Sequence, residues 1–327
     1  AGGVALMFTP TAFVEFSRLR GLAPDGRCKS FSAAADGVGW SEGCGVLVLE
    51  RLSEARRQGH PVLAVIRGSA VNQDGRSNGL TAPSGPAQQA VIERALASSG
   101  LSPAAVDYVE CHGTGTRLGD PIELQALGTV LARGRDPGQP AVIGSVKSNL
   151  GHTQAAAGVA GIIKTVLALQ HGKIPQNLHF AAPNPHVPWA ELPLRVAAQA
   201  VDWPPGARLR VAGVSSFGLS GTNAHVVLTE APKEVSAAPE PLRLAAWPFP
   251  LSATSDAALC AQAGQLAAHL SRAPAPQLAE LSYSLATTRA ALSHRLVLIA
   301  ASLADLRAGL DAVAQGETPV GCVRAAA

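Results

Sequence analysis

Between residue 1 and about residue 230, short apolar runs alternate with glycine-rich turns and with segments whose apolar positions recur at helical spacing. Residues 45–49 and 62–66 are apolar runs bounded by glycine, proline or charge, which predicts buried strands. Residues 87–99 have helical spacing and stop at Gly100, the residue type expected just after a helix. The alternation predicts an α/β domain with helices covering a largely buried sheet.

Three glycine-rich turns follow predicted strands, and ligands of open α/β sheets bind at the carboxyl ends of strands. Glycine lets the backbone turn tightly there, so polar side chains from separate turns could converge. The turns comprise residues 112–116 after a strand at 106–110, residues 147–152 after a strand at 141–146, and residues 215–223 between strands at 209–214 and 224–228.

Two further helices are predicted beside these turns. The sequence DPIE at residues 120–123 has the form of a capping box, with a carboxylate at the N-cap, proline at N1 and glutamate at N3. The helix that it opens should run to about residue 133. Another helix, ending near residue 170, is apolar on nearly every side, which predicts a central position with close packing through Gly158 and Gly161.

The composition shifts at about residue 230. Residues 231–250 contain five prolines, which is typical of an extended linker. In residues 251–327, amphipathic helices at 257–270 and 303–314 flank a strand at 294–299, so we expect a small α+β module. The predicted organisation is therefore a domain at 1–230, a linker at 231–250 and a module at 251–327.

The composition of the 327 residues excludes several classes of protein. Hydrophobic residues make up 47% and charged residues 15%, which excludes a disordered chain. A net charge of +3 is too weak to predict nucleic-acid or membrane-surface binding, and no apolar stretch approaches the ~20 residues that span a bilayer. The first residues do not resemble a signal peptide and fall in a predicted core strand at residues 3–8, so we expect the chain to be a piece of a longer protein.

The cysteines are widely spaced, odd in number and without a Cys-x-x-Cys pair. This pattern argues against a zinc site and a disulfide framework, and it favours a reducing compartment such as the cytoplasm. No metal site is therefore expected. The five are Cys28, Cys44, Cys111, Cys260 and Cys322.

The first and third turns present candidate ligand-binding groups. His112 and the hydroxyls of Thr114 and Thr116 could converge on a ligand, although an ordinary turn with a hydrogen-bonded histidine has the same residues. In the third turn, nearby glycines leave the backbone N–H of Phe217 free to approach a ligand, and the alternative is a core phenylalanine in a glycine-rich loop. His225 lies within a predicted strand and is interpreted as a hydrogen-bonded core histidine.

The second turn holds a histidine and a lysine. His152 falls at or beside the start of the apolar helix, where the helix dipole disfavours an imidazolium. A neutral imidazole there would donate a hydrogen bond instead, as enzymes do to polarise a carbonyl. Lys147 could act in the same site, or it could be a snorkelling lysine or the partner of a carboxylate such as Glu123.

Five motifs follow one another in the first 230 residues. They are NQDG and SNGLTAP at 72–83, ECHGTGTRLGDPIE at 110–123, VKSNLGHTQAAAGVAGIIK at 146–164, NPHVPW at 184–189 and VSSFGLSGTNAHVVL at 214–228. Taken together and in order, these motifs resemble the β-ketoacyl synthase (ketosynthase) domains of modular type I polyketide synthases. The stretch after the linker, with LSATSDAALCAQAGQLAAHL and LATTRAALSHR, is similar to the small ketosynthase-to-acyltransferase linker domain of these enzymes.

The resemblance implies the thiolase fold, two related α/β halves in five layers. Residues 1 to about 50 would close the first half, and about 60–230 would form the second. The implied reaction is a decarboxylative Claisen condensation between an acyl chain on a cysteine and a malonyl-type unit on acyl carrier protein. The module at 251–327 would then be the α+β linker domain.

The resemblance also assigns roles to the residues of the first two turns. His112 and His152 match the two active-site histidines, and neutral imidazoles there can stabilise negative charge on the thioester oxygen of the extender unit. Lys147 matches the lysine that orders the site, with Glu123 as its expected partner. Thr114 and Thr116 match residues that hydrogen-bond the phosphopantetheine arm.

Two further positions matter for the acyl chain. Phe217 matches the gating phenylalanine, whose N–H helps to form the oxyanion hole for the acyl thioester. The nucleophilic cysteine of the family lies upstream of the AGGV strand, so we expect it outside this sequence. Cys111 adjoins His112 in a strand, where successive side chains point to opposite faces, and is interpreted as structural.

The implied partners are acyl carrier protein, a downstream acyltransferase domain and a second copy of the chain. No cofactor is expected to bind directly, because phosphopantetheine arrives on the carrier. A non-catalytic alternative is a truncated ketosynthase-like scaffold that supports dimerisation or carrier docking. A biosynthetic thiolase is disfavoured, because thiolases need a second cysteine as an acid–base group near the C-terminal end. Residues 215–225 contain no cysteine.

Overall fold

The computed structural model of the protein describes residues 1–75, 82–232, 244–272 and 276–326. Contacts divide the chain into two units, Ala1–Lys233 and Glu234–Ala327. Residues 77–81 of the SNGLTAP motif and most of the predicted linker lie outside the described residues. The described part contains no helix with the length and apolar character needed to cross a bilayer.

The first unit alternates strands and helices, as the pattern predicted. Its strands are β1 (Gly2–Ala5), β2 (Gly43–Val46), β3 (Ala64–Gln73), β4 (Tyr108–Glu110), β5 (Ala141–Gly144), β6 (Lys173–Ile174), β7 (Leu194–Val196), β8 (Val201–Asp202), β9 (Val211–Phe217) and β10 (Thr222–Glu230). Its α-helices are α1 (Thr11–Arg18), α2 (Leu52–Gln58), α3 (Gly85–Ser99), α4 (Gly119–Leu131), α5 (Lys147–Leu150) and α6 (Ala157–His171). Helix α3 ends at Gly100 in the left-handed conformation, which confirms the predicted stop.

Six strands form the central sheet in the order β3-β10-β9-β4-β5-β7. Strands β9, β4, β5 and β7 are parallel, whereas β10 runs antiparallel to β3 and β9. Side chains alternate between two cores, so that Val109 packs with α3 and α4 while its neighbour Tyr108 packs with α6. Both faces of the sheet are therefore covered by helices, which explains its near-continuous apolar strands.

The predicted buried strands at residues 3–8 and 45–49 are wrong in extent and in burial. They form only the short pair β1–β2, and Val46 and Val48 are 71% and 96% exposed. The cause is which residues of the apolar run at 45–49 face the interior of the protein. Gly45 is the residue that faces α6, where a Cβ would lie 2.8 Å from Val159, so its valine neighbour points outward.

Two predicted helix starts are also wrong. Helix α4 begins at Gly119, and its N-cap Leu118 makes no side-chain capping bond, so the DPIE segment is not a capping box. Helix α6 begins at Ala157, five residues beyond His152, which lies instead between the one-turn helix α5 and a 3₁₀ turn. Helix α6 is buried along one face only, because Leu167 is 46% exposed.

In its described residues, the second unit contains a three-stranded antiparallel sheet and three helices. Its elements are β11 (Trp247–Ala253), α7 (Asp256–Arg272), α8 (Leu278–Thr287), β12 (His294–Ala300), α9 (Leu303–Ala314) and β13 (Cys322–Ala326), with strand order β11-β12-β13. The predictions for α7, α9 and β12 are confirmed, whereas α8 and β13 were missed. Residues 247–250, predicted as linker, form the first half of β11 in spite of their two prolines.

Candidate active site

The three glycine-rich turns meet at one edge of the central sheet. Strands β4, β5 and β9 are parallel neighbours, so their carboxyl ends lie side by side. His112 follows β4, Lys147 follows β5, and Phe217 ends β9. The topology brings together side chains that are more than 100 residues apart along the chain.

A cavity of about 970 Å³ opens at this edge. Its lining includes most of the predicted site residues, namely His112, Thr114, Thr116, Glu123, His152 and Phe217. Lys147 is absent from the lining and is only 3% exposed, so it acts on the cavity from beneath the surface. Trp40 and Gln88 complete the wall near the histidines and α3.

His112 is held by its backbone and by one ring nitrogen. The Phe217 N–H donates to His112 Nδ1 at 3.3 Å, so the other ring nitrogen, Nε2, carries the proton in the neutral ring. Burial, followed by the nearby charges of Lys147 and His152, holds the pKa of His112 well below its usual value. His112 therefore presents a neutral N–H donor.

His152 is arranged in the same way. The Gln154 N–H donates to His152 Nδ1 at 3.0 Å, and the backbone of His152 is fixed by Gly39 and Ser41. Burial and then the charge of Lys147 lower the pKa of His152 to about 3. The two imidazole rings lie 5.5 Å apart with an interplanar angle of 86°.

The Phe217 N–H is not free, contrary to the prediction. It donates to His112 Nδ1, so in this structure it fixes a tautomer and does not point at a ligand. The phenyl ring lies 5.6 Å from the His112 ring and is 8% exposed at the cavity wall. The gating position of the side chain stays a prediction.

The two carboxylates of the DPIE segment bind the loops of the site. Glu123 accepts the N–H groups of His112 and Gly113 at 2.7 and 2.8 Å. Asp120 accepts the N–H groups of Phe31 and Gly115 at 2.7 and 3.0 Å. Burial raises the pKa of Asp120 to about 6 and that of Glu123 to about 7.

The partner expected for Lys147 differs from the observed arrangement. No ion pair joins Lys147 to Glu123 in the described chain, although the charges of Glu110 and Glu123 both favour its ammonium form. Burial is the larger influence and lowers the pKa of Lys147. Glu110 pairs with Lys164 of α6 at 2.7 Å and also accepts the Val146 N–H at the start of α5.

Sequence reasoning missed this buried pair. Glu110 is 1% exposed and accepts the Tyr108 hydroxyl at 2.6 Å, so the network lies directly beneath the turn that carries His112. A lone lysine in an otherwise apolar helix was the signal for Lys164, because a buried lysine needs an anionic partner. Its contact with Glu110 could not be read from spacing along the chain.

The threonines and the polar motif residues complete the wall. Thr114 Oγ1 and Thr116 Oγ1 lie 3.2 Å apart, and Thr116 also accepts the Gly119 N–H. Asn223 donates to Asn72 and Asp74, which joins the first motif to the last. His225 is 2% exposed and lies 2.9 Å from the Ser215 hydroxyl, which confirms a hydrogen-bonded core histidine.

All five cysteines are free thiols, and none lines the cavity. Cys111 is fully buried with its Sγ 3.7 Å from the Val109 carbonyl oxygen, and burial raises the pKa of its thiol. Burial likewise raises the pKa of Cys28. Within the described ranges, no cluster of histidine, cysteine and acidic side chains is suited to a metal ion.

Family models match nearly the whole chain. They are "Beta-ketoacyl synthase, N-terminal domain" at residues 1–55, "Beta-ketoacyl synthase, C-terminal domain" at 63–181 and "Ketoacyl-synthetase C-terminal extension" at 183–299. The chain is 57% identical over 324 residues to a spectinabilin polyketide synthase system protein of Streptomyces orinoci, covering 99% of the chain and 9% of the relative. It is 57% identical over 314 residues to the erythronolide synthase of Saccharopolyspora erythraea, covering 95% and 10%.

Solved structures show the same fold. The ketosynthase from module 6 of the bacillaene synthase of Bacillus subtilis 168 superposes with a TM-score of 0.86 at 37% identity, covering 99% of this chain and 57% of that one. The oxazolomycin ketosynthase domain of Streptomyces albus gives 0.87 at 35% identity, covering 99% and 56%. The chain thus spans little more than half the length of these two solved structures and about a tenth of the two curated relatives named above.

Proposed function

Because this chain belongs to the β-ketoacyl synthase family of modular polyketide synthases, we propose that its cavity performs decarboxylative Claisen condensation on a carrier-bound extender unit. The observation that carries the proposal is the pair of neutral imidazoles, His112 and His152, each with Nδ1 occupied by a backbone N–H. Their free Nε2–H groups are suited to an oxygen that gains negative charge.

The proposed reaction follows from that donor pair. The bond between the α-carbon and the carboxylate of a malonyl-type thioester breaks, carbon dioxide leaves, and the electron pair forms an enolate. The Nε2–H groups of His112 and His152 stabilise the enolate oxygen. The α-carbon then attacks the acyl thioester on a cysteine, a carbon–carbon bond forms, and the cysteine leaves as thiolate.

The surrounding residues support the two donors. Burial first, and then the positive charge of Lys147, which disfavours a second cation nearby, keep both imidazoles neutral. Glu123 orders the His112 turn through its two backbone hydrogen bonds. Thr114 and Thr116 are proposed to hydrogen-bond the phosphopantetheine arm of acyl carrier protein, and the ring of Phe217 to gate the cavity.

The acyl-carrying cysteine is proposed to lie on chain that precedes residue 1. The support is chemical, since none of the five cysteines lines the cavity and burial raises the pKa of Cys28 and Cys111 away from the reactive thiolate. We also propose a downstream acyltransferase domain, a homodimer, and a division of the chain into a ketosynthase portion to about residue 230, a linker after it, and a small module that begins with β11 at Trp247. Five free thiols support a cytoplasmic, reducing setting.

The test uses the complete synthase module that contains this chain. His112→Ala and His152→Ala should each slow carbon dioxide release from malonyl-type carrier protein by about 100-fold or more, the usual effect of losing one oxyanion donor. His171→Ala is the matched control, because His171 is exposed at the end of α6 and lies outside the cavity. Undiminished release in both variants would overturn the assignment, and no release from the unmodified module would favour the scaffold alternative.

A further inference from the structure

The mouth of the cavity carries two arginines that have no assigned role. Arg20 and Arg117 are exposed, and both line the main cavity and an adjoining one of about 680 Å³. Neither forms an ion pair within the described residues. Arginine presents a planar fork of N–H donors that matches the oxygens of a phosphate or a carboxylate.

The acidic groups of the same wall are already engaged. Asp36 pairs with Lys29 at 2.8 Å, and Asp74 accepts the side-chain amide of Asn223 at 2.7 Å. Glu123 lies deeper and accepts two backbone N–H groups. Arg20 and Arg117 are therefore the charged groups of this wall that lack a partner among the described residues, and their N–H donors are available to an anionic ligand.

Arg20 has a backbone conformation that is unfavourable for any residue other than glycine. Helix α1 ends at Arg18 with Leu19 as its C-cap, and Arg20 follows with φ of 54° in the left-handed region, where glycine is the usual residue. An arginine there costs free energy relative to glycine. Its side chain is placed on the cavity wall in spite of that cost.

The order of residues along the first turn gives the site a direction. His112, Thr114 and Thr116 are half-buried in the cavity wall, and Arg117, which follows Thr116 directly, is exposed. A thioester at the histidines with amides at the threonines would therefore place the far end of the arm beside Arg117. That far end is a phosphodiester.

We propose that Arg20 and Arg117 form the binding site for the phosphate group of the phosphopantetheine arm. The inference rests on the proposed function and adds to it the residues that hold the anionic end of the substrate. The malonyl carboxylate is not the ligand, because it is joined to the thioester that binds His112 and His152, at the opposite end of the arm. Arg20 and Arg117 are thus positioning residues that fix how far the thioester enters.

The test compares 4′-phosphopantetheine with pantetheine, titrated into the full chain and followed by NMR. Unmodified protein should bind the phosphate form more tightly. Arg20→Gln and Arg117→Gln should each weaken binding of that form about three- to fivefold, as for a partly exposed charge pair, and should leave pantetheine binding unchanged. Arg94→Gln is the matched control, because Arg94 is exposed on α3 and lies outside both cavities.

Arg20→Gly separates binding from folding. Glycine relieves the left-handed backbone, so this variant should melt at a higher temperature while losing the preference for phosphate. A variant that melts higher and keeps the full preference would overturn the role of Arg20.

The other outcomes are distinct. Equal binding of the two ligands to unmodified protein would overturn the phosphate site and leave the proposed function standing. Binding of neither ligand would overturn both. An arginine effect seen only with intact carrier protein, and not with free 4′-phosphopantetheine, would assign these residues to the carrier surface and overturn the phosphate site.

Discussion

Single hydrogen bonds decide the chemical state of the histidines in this fold. His112 and His152 each accept a backbone N–H on Nδ1, and both are half-buried near the cationic Lys147. His225 is buried, and it lies against the Ser215 hydroxyl on the strands behind the cavity. His112 and His152 can therefore contact a substrate, whereas His225 contributes only to the stability of the fold.

His225 should make stability depend on pH. Burial lowers its pKa to about 4 in the folded chain, against about 6.5 when unfolded, so the unfolded chain binds more protons and stability is lost as pH falls from 6.5 towards 4. The difference in unfolding free energy between the natural chain and His225→Asn should fall by about 1.4 kcal/mol for each pH unit in this window. Urea denaturation at several pH values measures it.

The comparison of the two chains isolates His225. Asp120 and Glu123, whose pKa values are raised in the folded chain, favour folding at low pH and so oppose the histidine term. They are present in both chains and cancel in the difference. A difference that is constant between pH 7 and pH 4 would contradict the prediction.

At the scale of elements, helix α6 packs through one of its two early glycines. A Cβ at Gly161 would lie 3.1 Å from Glu110 Cγ and 3.2 Å from Val214 Cγ1, whereas a Cβ at Gly158 would meet nothing closer than 3.5 Å. Glu110 cannot give way, because Lys164 and two other groups hold its carboxylate. The close packing predicted for both glycines is confirmed only at Gly161.

Gly161→Ala should therefore lower the unfolding free energy by about 1–3 kcal/mol through overpacking. Gly158→Ala, on the same helix, should change it by no more than about 0.5 kcal/mol or slightly raise it, since alanine favours helix. Thermal melts of both variants measure the contrast. Equal losses in the two variants would show that the contact of residue 161 with Glu110 does not set the effect.

The spacing of residues was a better predictor of which helices and strands exist than of how they are placed and buried in the fold. Helix α9 matches its predicted range of 303–314, because one amphipathic face packs on a single sheet. The run at 45–49 was misplaced, because apolar composition does not reveal that its glycine faces the helix and its valines face outward. The DPIE segment was misread, because a local pattern cannot show that its carboxylates have partners 89 residues away as well as nearby.

At the scale of the whole molecule, the second unit has a core of its own. Its sheet and helices bury Phe249, Leu259, Leu298 and Leu310, each with 3% exposure or less. A unit of this size with its own hydrophobic core can fold independently, since domains of about 55–65 residues already do so. The first unit has separate cores on the two faces of its sheet.

Residues 244–327 expressed alone should therefore melt cooperatively, as followed by circular dichroism. Leu259→Ala should remove about 2–5 kcal/mol of stability, because Leu259 is fully buried. Tyr283→Ala is the matched control, since Tyr283 is 70% exposed and its loss should be nearly neutral. A broad, non-cooperative melt of the unmodified fragment would show that this core needs the rest of the chain.

The sequence by itself determined the alternation of strands and helices, the three glycine-rich turns and the family, because periodicity and turn residues act over a few positions. Only the tertiary structure decided the roles within the site. The bond from Phe217 to His112, the loops held by Asp120 and Glu123, and the Glu110–Lys164 pair join distant segments. Such partners depend on which strands become neighbours in the sheet, and no local spacing contains that information.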